Sequence, residues 1–328
     1  MNRWLACVLS LAWVGSVQSQ EVANQPGVEQ WLPRLQAAAG QRTYTGTFVV
    51  TAADRLSSAR IWHVSEGSQQ MERVDALSGV PRSVFRRNDE VLTLLPQSRM
   101  AISEKRQSLR QFPDWLGQAD ASLAQHYVLR PVGADRVAGW EADVARLVPK
   151  DAWRFGYRVW TERGTGLVLK LQTIGLDQTI LEQAAFSELQ LSSSISMSKL
   201  NAMMNDVQGY RVKKSELLPT TVDQEGWDWK ANVPGFKLVS CYKRPAAHGN
   251  AALTVMQCVC SDGLASVSVF VESFDPARHA RPMSQDAFSM GATRMQMQRV
   301  GDWWLTAVGE VPQPTLLQLA RSFERKSR

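Results

Sequence analysis

The sequence has few of the residues that dominate catalytic and metal-binding sites. Its 328 residues include four histidines, and none of them stands in an H-E-x-x-H or similar spacing for metal ligands. The G-x-S-x-G elbow of hydrolases and the P-loop of nucleotide-binding proteins are also missing from the sequence. We therefore predict a protein that is not an enzyme and that has no metal site and no cofactor.

Long apolar runs are missing except at the N-terminus. There, a short positive segment at residues 2–3 precedes an apolar stretch at residues 4–14, and a cleavage site follows at residues 17–19. This order is typical of a secretory signal peptide, which we assign to residues 1–19. No later run is long enough to span a membrane. We therefore expect the mature chain to start near Gln20 and to be located in the periplasm.

Cysteine is scarce as well, and its number after export is odd. Loss of the signal peptide removes Cys7 and leaves Cys241, Cys258 and Cys260. Cys258 and Cys260 lie two residues apart on a predicted strand, which is poor geometry for a bond between them. We expect Cys241 to pair with either Cys258 or Cys260. The alternative is three buried thiols that act as small apolar side chains.

Acidic residues are outnumbered by basic ones. The formal charge of +6 becomes +5 when Arg3 leaves with the signal peptide. An exported basic protein is not expected to meet nucleic acid. Its expected partners are an anionic membrane surface, lipopolysaccharide phosphates or an acidic protein segment. Arg82, Arg86 and Arg87 are our candidate contacts to anionic groups, with a solvated basic face as the alternative.

The chain is rich, by contrast, in apolar residues that alternate with other residues. The clearest example runs from residue 153 to residue 186. Its apolar positions before and after a glycine-rich turn are Trp153, Phe155, Tyr157, Leu167, Leu169 and Leu171. Period-two alternation on both sides of a turn predicts an antiparallel hairpin, which a third strand at residues 180–186 extends. We expect the six positions to share one face, buried against another layer or a ligand.

Similar alternation from residue 44 onward predicts nine or ten strands in one continuous antiparallel series. We therefore predict an α+β protein whose large domain is a curved half-barrel sheet with helices on its concave side. Glu72 and Arg73 are expected as a solvated charged pair at the rim of this sheet. The large domain is assigned to residues 20–206. A linker follows at residues 207–226, and a small α+β domain occupies residues 227–328.

Aromatic residues point to an apolar cavity in the large domain. The sequence contains 12 Trp, which is unusually many. Aromatic side chains that line a half-open barrel would form a cavity able to hold acyl chains. Our candidates for the cavity lining are Phe48, Trp62, Trp115, Trp153, Phe155, Tyr157 and Leu169. The alternative is that these residues fill an ordinary core.

Several short segments, in this order along the chain, carry a resemblance to a known family. They are YTGTF at 44–48, ER at 72–73, GVPR at 79–82, RFGYRVW at 154–160, GLVLK at 166–170, VPGF at 233–236, SDGL at 261–264 and VGEVP at 308–312. No single segment is decisive, but the ordered set resembles the MucB/RseB family over nearly the whole mature chain.

This resemblance implies a periplasmic negative regulator of the sigma-E (AlgU-type) envelope stress response. Such a protein binds the periplasmic region of a membrane-spanning anti-sigma factor of the RseA or MucA type and shields it from site-1 proteolysis. The resemblance further implies that the large domain is lipid-carrier-like, similar to LolA and LolB, and senses lipid or lipopolysaccharide. The alternative function is a periplasmic carrier of lipid or lipoprotein. A monomer and a homo-oligomer are both compatible with the sequence.

Overall fold

The structure, a computed structural model, describes residues 27–105, 112–116, 119–215, 217–230, 232–245, 254–279 and 287–326. The predicted signal peptide at residues 1–19 lies outside these residues. The α-helices of the described chain are α1 (Val28–Gln41), α2 (Leu123–His126), α3 (Met197–Asn205), α4 (Pro276–His279) and α5 (Gln313–Arg321).

A 12-stranded sheet forms the first domain. Its strands are β1 (Tyr44–Ala52), β2 (Arg55–Glu66), β3 (Gln69–Ala76), β4 (Ser83–Arg87), β5 (Glu90–Leu95), β6 (Met100–Lys105), β7 (Tyr127–Val137), β8 (Trp140–Pro149), β9 (Gly156–Glu162), β10 (Val168–Ile174), β11 (Ile180–Leu191) and β12 (Arg211–Ser215). The order across the sheet is β12-β6-β5-β4-β3-β2-β1-β11-β10-β9-β8-β7. The predicted antiparallel pairing is confirmed for β1 to β11, which are eleven strands where nine or ten were expected. The series is not continuous as expected, because β1 pairs with β11 and this places β6 and β7 at opposite ends. Among the described strands of the sheet, β12 alone runs parallel to its neighbour, β6.

A separate seven-stranded sheet forms the second domain. The strands of this domain are β13 (Leu218–Thr220), β14 (Trp227–Trp229), β15 (Lys237–Pro245), β16 (Thr254–Ser261), β17 (Ser266–Ser273), β18 (Ala287–Met290), β19 (Thr293–Val300), β20 (Trp303–Gly309) and β21 (Phe323–Arg325). The sheet order is β13-β15-β16-β17-β20-β19-β18, and β14 pairs with β21. Helix α5 buries Leu316 and Leu319 in a core with Val267, Val269 and Leu305. The predicted small α+β domain is thus confirmed.

The first-domain sheet curves round α1. This helix contacts both β2 and β7, although five other strands separate these two strands in the sheet. In a flat sheet, six steps of about 4.8 Å would place β2 and β7 roughly 29 Å apart. Strands β7 and β11 are also in contact, although three strands separate them and a flat sheet would hold them roughly 19 Å apart. The sheet must therefore bend strongly, and α1 lies on its concave side.

Helix α3 packs on the opposite face of the same sheet. Successive side chains of a strand point to opposite faces, so Met71 and Glu72 face different ways. Met71 packs in a cluster with Leu200 and Met204 of α3. Glu72 shares its face with Tyr44 through the register of β1, β2 and β3, and Tyr44 packs in the cluster that includes Ala38 of α1. Strand β2 is therefore contacted by α1 on one face and by α3 on the other.

The expected single apolar face from Trp153 to Leu171 is wrong in two respects. Strand β9 begins only at Gly156, so Trp153 and Phe155 precede it. A bulge between Val168 and Lys170 adds a residue to β10. A bulge changes the phase of the alternation. Leu169 consequently packs in one hydrophobic cluster and Leu171 in another.

The segment expected as a linker, residues 207–226, contains two strands. Strand β12 adds to the edge of the first-domain sheet beside β6. After two intervening residues, β13 adds to the edge of the second-domain sheet beside β15. Backbone hydrogen bonds therefore tie this segment to both domains, and the distance that the chain spans between the two sheets is short.

A buried arginine joins the two domains. Arg154 lies just before β9, and its guanidinium donates to Asp262 Oδ2 at 2.6 Å and to the carbonyl oxygen of Pro234 at 2.6 Å. A further bond at 3.0 Å reaches Asp151. The side chains of Arg154 and Asp262 are both 0% exposed. Charges without access to water are costly unless they are paired and hydrogen-bonded, and these contacts meet that condition.

Each domain also contributes an apolar side chain to the core of the other. Leu264, in the turn between β16 and β17, packs in the first-domain cluster that contains Trp115 and Tyr157. In return, Trp153 packs against the core of the second domain. The Trp153 carbonyl accepts a hydrogen bond of 2.8 Å from Thr315 Oγ1 at the start of α5. The interface therefore combines reciprocal apolar insertion with one buried ion pair.

The second domain contains a disulfide bond. Cys241 of β15 and Cys258 of β16 lie directly opposite each other in the antiparallel register and are bonded. Cys260 is a free thiol in the same core, and burial raises its pKa to about 12. The thiolate is the reactive form of cysteine, so this third cysteine is held in an unreactive state.

We expect the replacement Arg154→Met to destabilise the protein by about 3–5 kcal/mol, because it leaves the Asp262 carboxylate buried without its partner. Urea unfolding followed by tryptophan fluorescence measures this loss. The matched control is Arg163→Met, which removes an exposed ion pair with Asp143 and should cost no more than about 1 kcal/mol. Equal losses in the two variants would show that the buried pair does not anchor the interface.

Candidate functional site

The α1 side of the first-domain sheet carries a group of largely buried charged residues. Arg86 of β4 lies 3.6 Å from the Glu72 carboxylate of β3 and 3.5 Å from the Asp114 carboxylate. Glu72 is therefore a largely buried partner of Arg86, with 14% of its side chain exposed, and the expected solvated pair with Arg73 is wrong. Arg73 points to the α3 face, where it binds Asp75 at 2.8 Å. Adjacent residues of a strand face opposite ways, so Glu72 and Arg73 cannot pair across their own strand.

Two aromatic rings adjoin these charges. Tyr44 of β1 stacks on His63 of β2 with ring centroids 4.9 Å apart. His63 Nδ1 lies 2.7 Å from the Arg42 carbonyl, which can only accept, so Nδ1 carries the proton and Nε2 is free of it. The Tyr44 hydroxyl is buried and has no hydrogen-bond partner among the described residues. We call the five residues Tyr44, His63, Glu72, Arg86 and Asp114 the Arg86 network.

Burial controls the protonation of this network. It raises the pKa of Glu72 and that of Asp114, although the Arg86 charge opposes both shifts. It lowers the pKa of His63. Burial also disfavours the charge on Arg86, but the Glu72 and Asp114 carboxylates outweigh this effect and raise the Arg86 pKa. The network therefore holds two carboxyl groups against one fixed cation in a site shielded from water, and it responds to protons or to an incoming charged group.

Aromatic clusters surround the network on the α1 side. Phe112 lies 5.4 Å from Phe48 and 5.0 Å from Phe186, measured between ring centroids. Trp115 lies 4.7 Å from Tyr157 in the neighbouring cluster. Phe112 packs against both clusters and so connects them. The segment that carries Asp114 is thereby held over the sheet by an aromatic residue on each side of it.

The seven residues predicted to line an acyl cavity do not come together in one place. Phe48 and Leu169 lie in one α1-side cluster, and Trp115 and Tyr157 lie in the other. The remaining three lie elsewhere. Trp62 packs on the α3 face with Arg73 over its ring. Trp153 and Phe155 face the second domain, the latter beneath Arg294 at 5.7 Å.

The three arginines predicted to contact anionic groups also point in different directions. Arg82 is exposed in the loop before β4. Arg86 belongs to the buried network. Arg87 lies on the α3 face, where it binds Glu90 and donates to the Asn201 amide oxygen at 2.8 Å. The alternation of β4 separates Arg86 from Arg87, so the three side chains do not form one anion-binding group.

The cavities found among the described residues include three that no predicted acyl-contact residue lines. One of 570 Å³ lies between the domains and is lined by the β4–β5 turn, parts of β5 and β6, residues 214–215 and 217–219, and Tyr242. A cavity of 450 Å³ lies between the β2–β3 and β4–β5 hairpin turns and α3. A third, of 190 Å³, adjoins Trp160. The interdomain cavity was not foreseen, because the sequence did not reveal that residues 211–220 form edge strands.

The sequence also contains a signal that could have predicted the Arg86 network. Glu72 lies two residues from Val74 in β3, and Arg86 lies two residues from Val84 in β4. Side chains two residues apart in a strand share a face, so Glu72 and Arg86 lie opposite each other on the same face as the two valines. A charged residue on the inward face of a strand is expected to be buried only with a partner.

Within the described residues, no group of three or more His, Cys, Asp or Glu side chains is arranged to hold a metal ion. Likewise, no helix of the described chain is long and apolar enough to cross a bilayer.

The fold and the interface define a two-domain protein in which a curved, mostly antiparallel sheet is joined to a smaller sheet domain by a buried ion pair. Comparison with known proteins identifies its family. The models of the MucB/RseB N-terminal and C-terminal domains match residues 27–204 and 221–324. The chain therefore belongs to the MucB/RseB family.

Individual relatives match along nearly the whole chain. The sigma factor AlgU regulatory protein MucB of Pseudomonas aeruginosa is 28% identical, with 95% of each chain covered. The sigma-E factor regulatory protein RseB of Escherichia coli is 23% identical, over 98% of this chain and 97% of the relative. A solved structure of MucB in complex with MucA(peri) superposes with a TM-score of 0.69 at 27% identity, and covers 91% of this chain and 98% of that one.

The replacement His63→Gln is expected to reduce the loss of stability in acid. Because burial lowers the pKa of His63 from 6.5, below that pH the unfolded chain binds a proton that the folded chain does not. The free energy of unfolding therefore decreases as the pH is lowered below 6.5, by at most about 1.4 kcal/mol per pH unit for this one proton. Urea unfolding at about pH 7.5 and about pH 5.5 should therefore show a smaller difference for the variant than for the wild type.

The replacement Glu72→Gln serves as the control of opposite sign. Burial raises the pKa of Glu72 above 4.5, so over a window above that pH the folded chain keeps a proton that the unfolded chain has released. Stability falls as pH rises through this window, and the variant lacks this loss. Relative to the wild type, Glu72→Gln should gain stability as pH rises, and His63→Gln should gain it as pH falls. Shifts of the same sign in both variants would contradict our account of the network.

Proposed function

We propose that this protein binds the periplasmic region of a membrane-spanning anti-sigma factor of the MucA or RseA type and shields it from site-1 proteolysis. The observation that carries the proposal is the match of both domains, in one chain, to MucB in complex with MucA(peri). Because the superposition covers 98% of the MucB chain in that complex, the similarity extends over both domains of MucB. The names of the relatives, which are regulatory proteins of sigma factors, support the same role.

We propose the periplasm as the place of action. The sequence pattern at residues 1–19 favours export, and the partner region is periplasmic by its nature. The Cys241–Cys258 disulfide supports an oxidising compartment, because such bonds are rare in the cytosol.

We propose further that lipid or lipopolysaccharide binds on the α1 side of the first domain and weakens partner binding. The cluster of Trp115 and Tyr157 also contains Leu264 of the second domain. An acyl chain entering this cluster would compete with Leu264 for the same apolar space. Asp262 lies two residues from Leu264 and accepts from its backbone nitrogen at 2.9 Å. Displacement of Leu264 would therefore disturb the turn that pairs with Arg154 and would alter the arrangement of the domains.

The first test uses purified mature protein and the periplasmic segment of the anti-sigma factor encoded in the same genome. We expect roughly micromolar or tighter binding by isothermal titration calorimetry. With the protein at about ten times its dissociation constant, about nine tenths of the segment is bound, so the initial rate of site-1 cleavage should fall roughly tenfold. A segment of scrambled sequence is the control. Cleavage at the unprotected rate, despite binding, would refute the shielding role.

The second test adds purified lipopolysaccharide to the complex. We expect saturating lipopolysaccharide to weaken partner binding by about fivefold or more, and the partner to weaken lipopolysaccharide binding by the same factor, because linkage is reciprocal. Leu264→Ala should reduce this factor while both ligands still bind. Partner affinity that does not change at saturating lipopolysaccharide would refute the sensing role but not the binding of the partner.

A further inference from the structure

Three large aliphatic side chains are exposed together at one end of the first-domain sheet. Leu56 is 68% exposed, Leu77 55% and Val80 64%. Leu56 follows the β1–β2 turn, and the other two lie in the loop between β3 and β4. We call Leu56, Leu77 and Val80 the Leu56 patch. Burying such side chains normally contributes to folding, so three of them left in water at adjacent chain reversals point to a role outside the fold.

The backbone holds the patch in a defined shape. The Leu77 amide donates to the Ser58 carbonyl at 2.9 Å, and the Ser58 amide donates to Ser78 Oγ at 2.9 Å. The loop is closed at its base by the Ala76 amide, which donates to the Arg82 carbonyl at 2.9 Å. These bonds fix the loop against β2, so the three side chains are presented together at little further cost in conformational entropy.

The patch lies on the outer, α3 face of the sheet. In the register of β2 and β3, Arg60 lies opposite Asp75 and Ala59 opposite Ala76, so Leu77 comes opposite Ser58. Leu56, Ser58 and Arg60 alternate along β2 and share one face, and Leu77 lies on that face too. This is the face of Trp62, over which Arg60 lies at 5.3 Å. The patch therefore continues the outer surface of the sheet toward its end.

A basic rim surrounds the patch. Arg60 and Arg82 are exposed and form no ion pair with any described residue. Arg55 is exposed too, but it directly precedes Leu56 in β2 and therefore takes the α1 side of the strand end. In residues 53–60 and 76–84, which contain these three arginines, Asp54 is the only carboxylate. The nearby charge of Arg73 is already neutralised by Asp75. Unpaired cations beside exposed aliphatic side chains are the combination that inserts into the headgroup region of an anionic bilayer.

The second domain adds to the same end of the molecule. The backbone of Gly291 is packed so closely against Ala52, in the β1–β2 hairpin, that a Cβ on Gly291 would lie 2.8 Å from the Ala52 Cβ. Met290, which precedes this glycine, is 37% exposed. The second domain therefore reaches the same end of the sheet, on the α1 side that Ala52 shares with Phe48 and Val50, and it leaves the α3 side with the patch open.

We propose that the Leu56 patch and the exposed arginines beside it, Arg60 and Arg82, dock the protein on the surface of an anionic phospholipid bilayer. The patch stands on the tips of two chain reversals, and none of its three side chains lines the cavities described above. Projecting aliphatic side chains can insert at the boundary between lipid headgroups and acyl chains without a preformed site. A protein partner would need a concave surface that matches them. The rim supplies the charge complementarity to phosphatidylglycerol. Docking would bring the protein to the surface from which a membrane-spanning partner projects, but it does not depend on that partner.

The test is co-sedimentation of the mature chain, without any partner, with vesicles of phosphatidylglycerol and phosphatidylcholine. We expect binding to these vesicles at low salt, weaker binding as salt is raised, and little binding to phosphatidylcholine alone. The triple variant Leu56→Ser, Leu77→Ser, Val80→Ser should bind at least about tenfold more weakly. The matched control is Val128→Ser with Val132→Ser, which changes exposed aliphatic residues (39% and 52%) on β7 at the far edge of the sheet. All five side chains are exposed, so far-UV circular dichroism should be unchanged.

Three results would overturn the proposal. Failure of the wild type to sediment with anionic vesicles at low salt would remove the membrane as the occupant. Equal weakening by the patch variant and the β7 variant would remove the assignment to the Leu56 patch. Undiminished vesicle binding by the patch variant, combined with weaker binding of the anti-sigma segment, would make the patch a protein interface. Binding to vesicles and binding to the anti-sigma segment are measured separately, so a negative result for membrane docking does not refute the proposed binding of the anti-sigma factor, and the reverse also holds.

Discussion

Arg154 and Asp262 meet where neither side chain reaches water, and the contact between the domains is arranged around this pair. Asp262 has two tasks. Its Oδ2 atom binds Arg154, while its Oδ1 atom accepts from the backbone of Leu264 and Ala265 and so shapes the turn. The residue that neutralises the arginine is thus also the one that aims Leu264 into the first domain. A buried ion pair is weak evidence for stability as such, because desolvation offsets the Coulomb attraction. Here it specifies one orientation of the domains.

The first-domain sheet separates two kinds of surface. Its α1 face holds the aromatic clusters and the Arg86 network, and its α3 face carries a helix at one end and exposed residues at the other. Period-two alternation makes this separation automatic, since neighbouring residues such as Arg86 and Arg87 are sent to different faces. A ligand among the aromatic clusters and a surface on the outer face can therefore act independently, because they share strands but no side chains.

Local pattern in the sequence predicts much of the fold but little of the candidate site. Alternation indicated most of the strands and the second domain, but it could not indicate the pairing of β1 with β11, because local pattern carries no information on distant partners. It could not reveal the bulge at β10, because one extra residue leaves both flanking runs intact in sequence while it reverses the face of Leu171. The Arg86 network joins five separate segments, and the register of β1, β2, β3 and β4 brings four of them together. Charged residues in a strand are usually exposed to solvent, so the general preference of glutamate for the surface predicted the wrong environment for Glu72.

The pairing of β1 with β11 has a consequence for how the chain acquires its structure. Ser187 Oγ donates to the Thr47 carbonyl across a sequence separation of 140 residues. The two strands lie in the middle of the sheet, so its halves can form as local hairpins but cannot join until the chain is complete through β11. Topologies dominated by such distant contacts fold slowly. A newly made chain therefore passes through a period in which the edges of β1 and β11 are unpaired, when contact with a chaperone or another chain matters most.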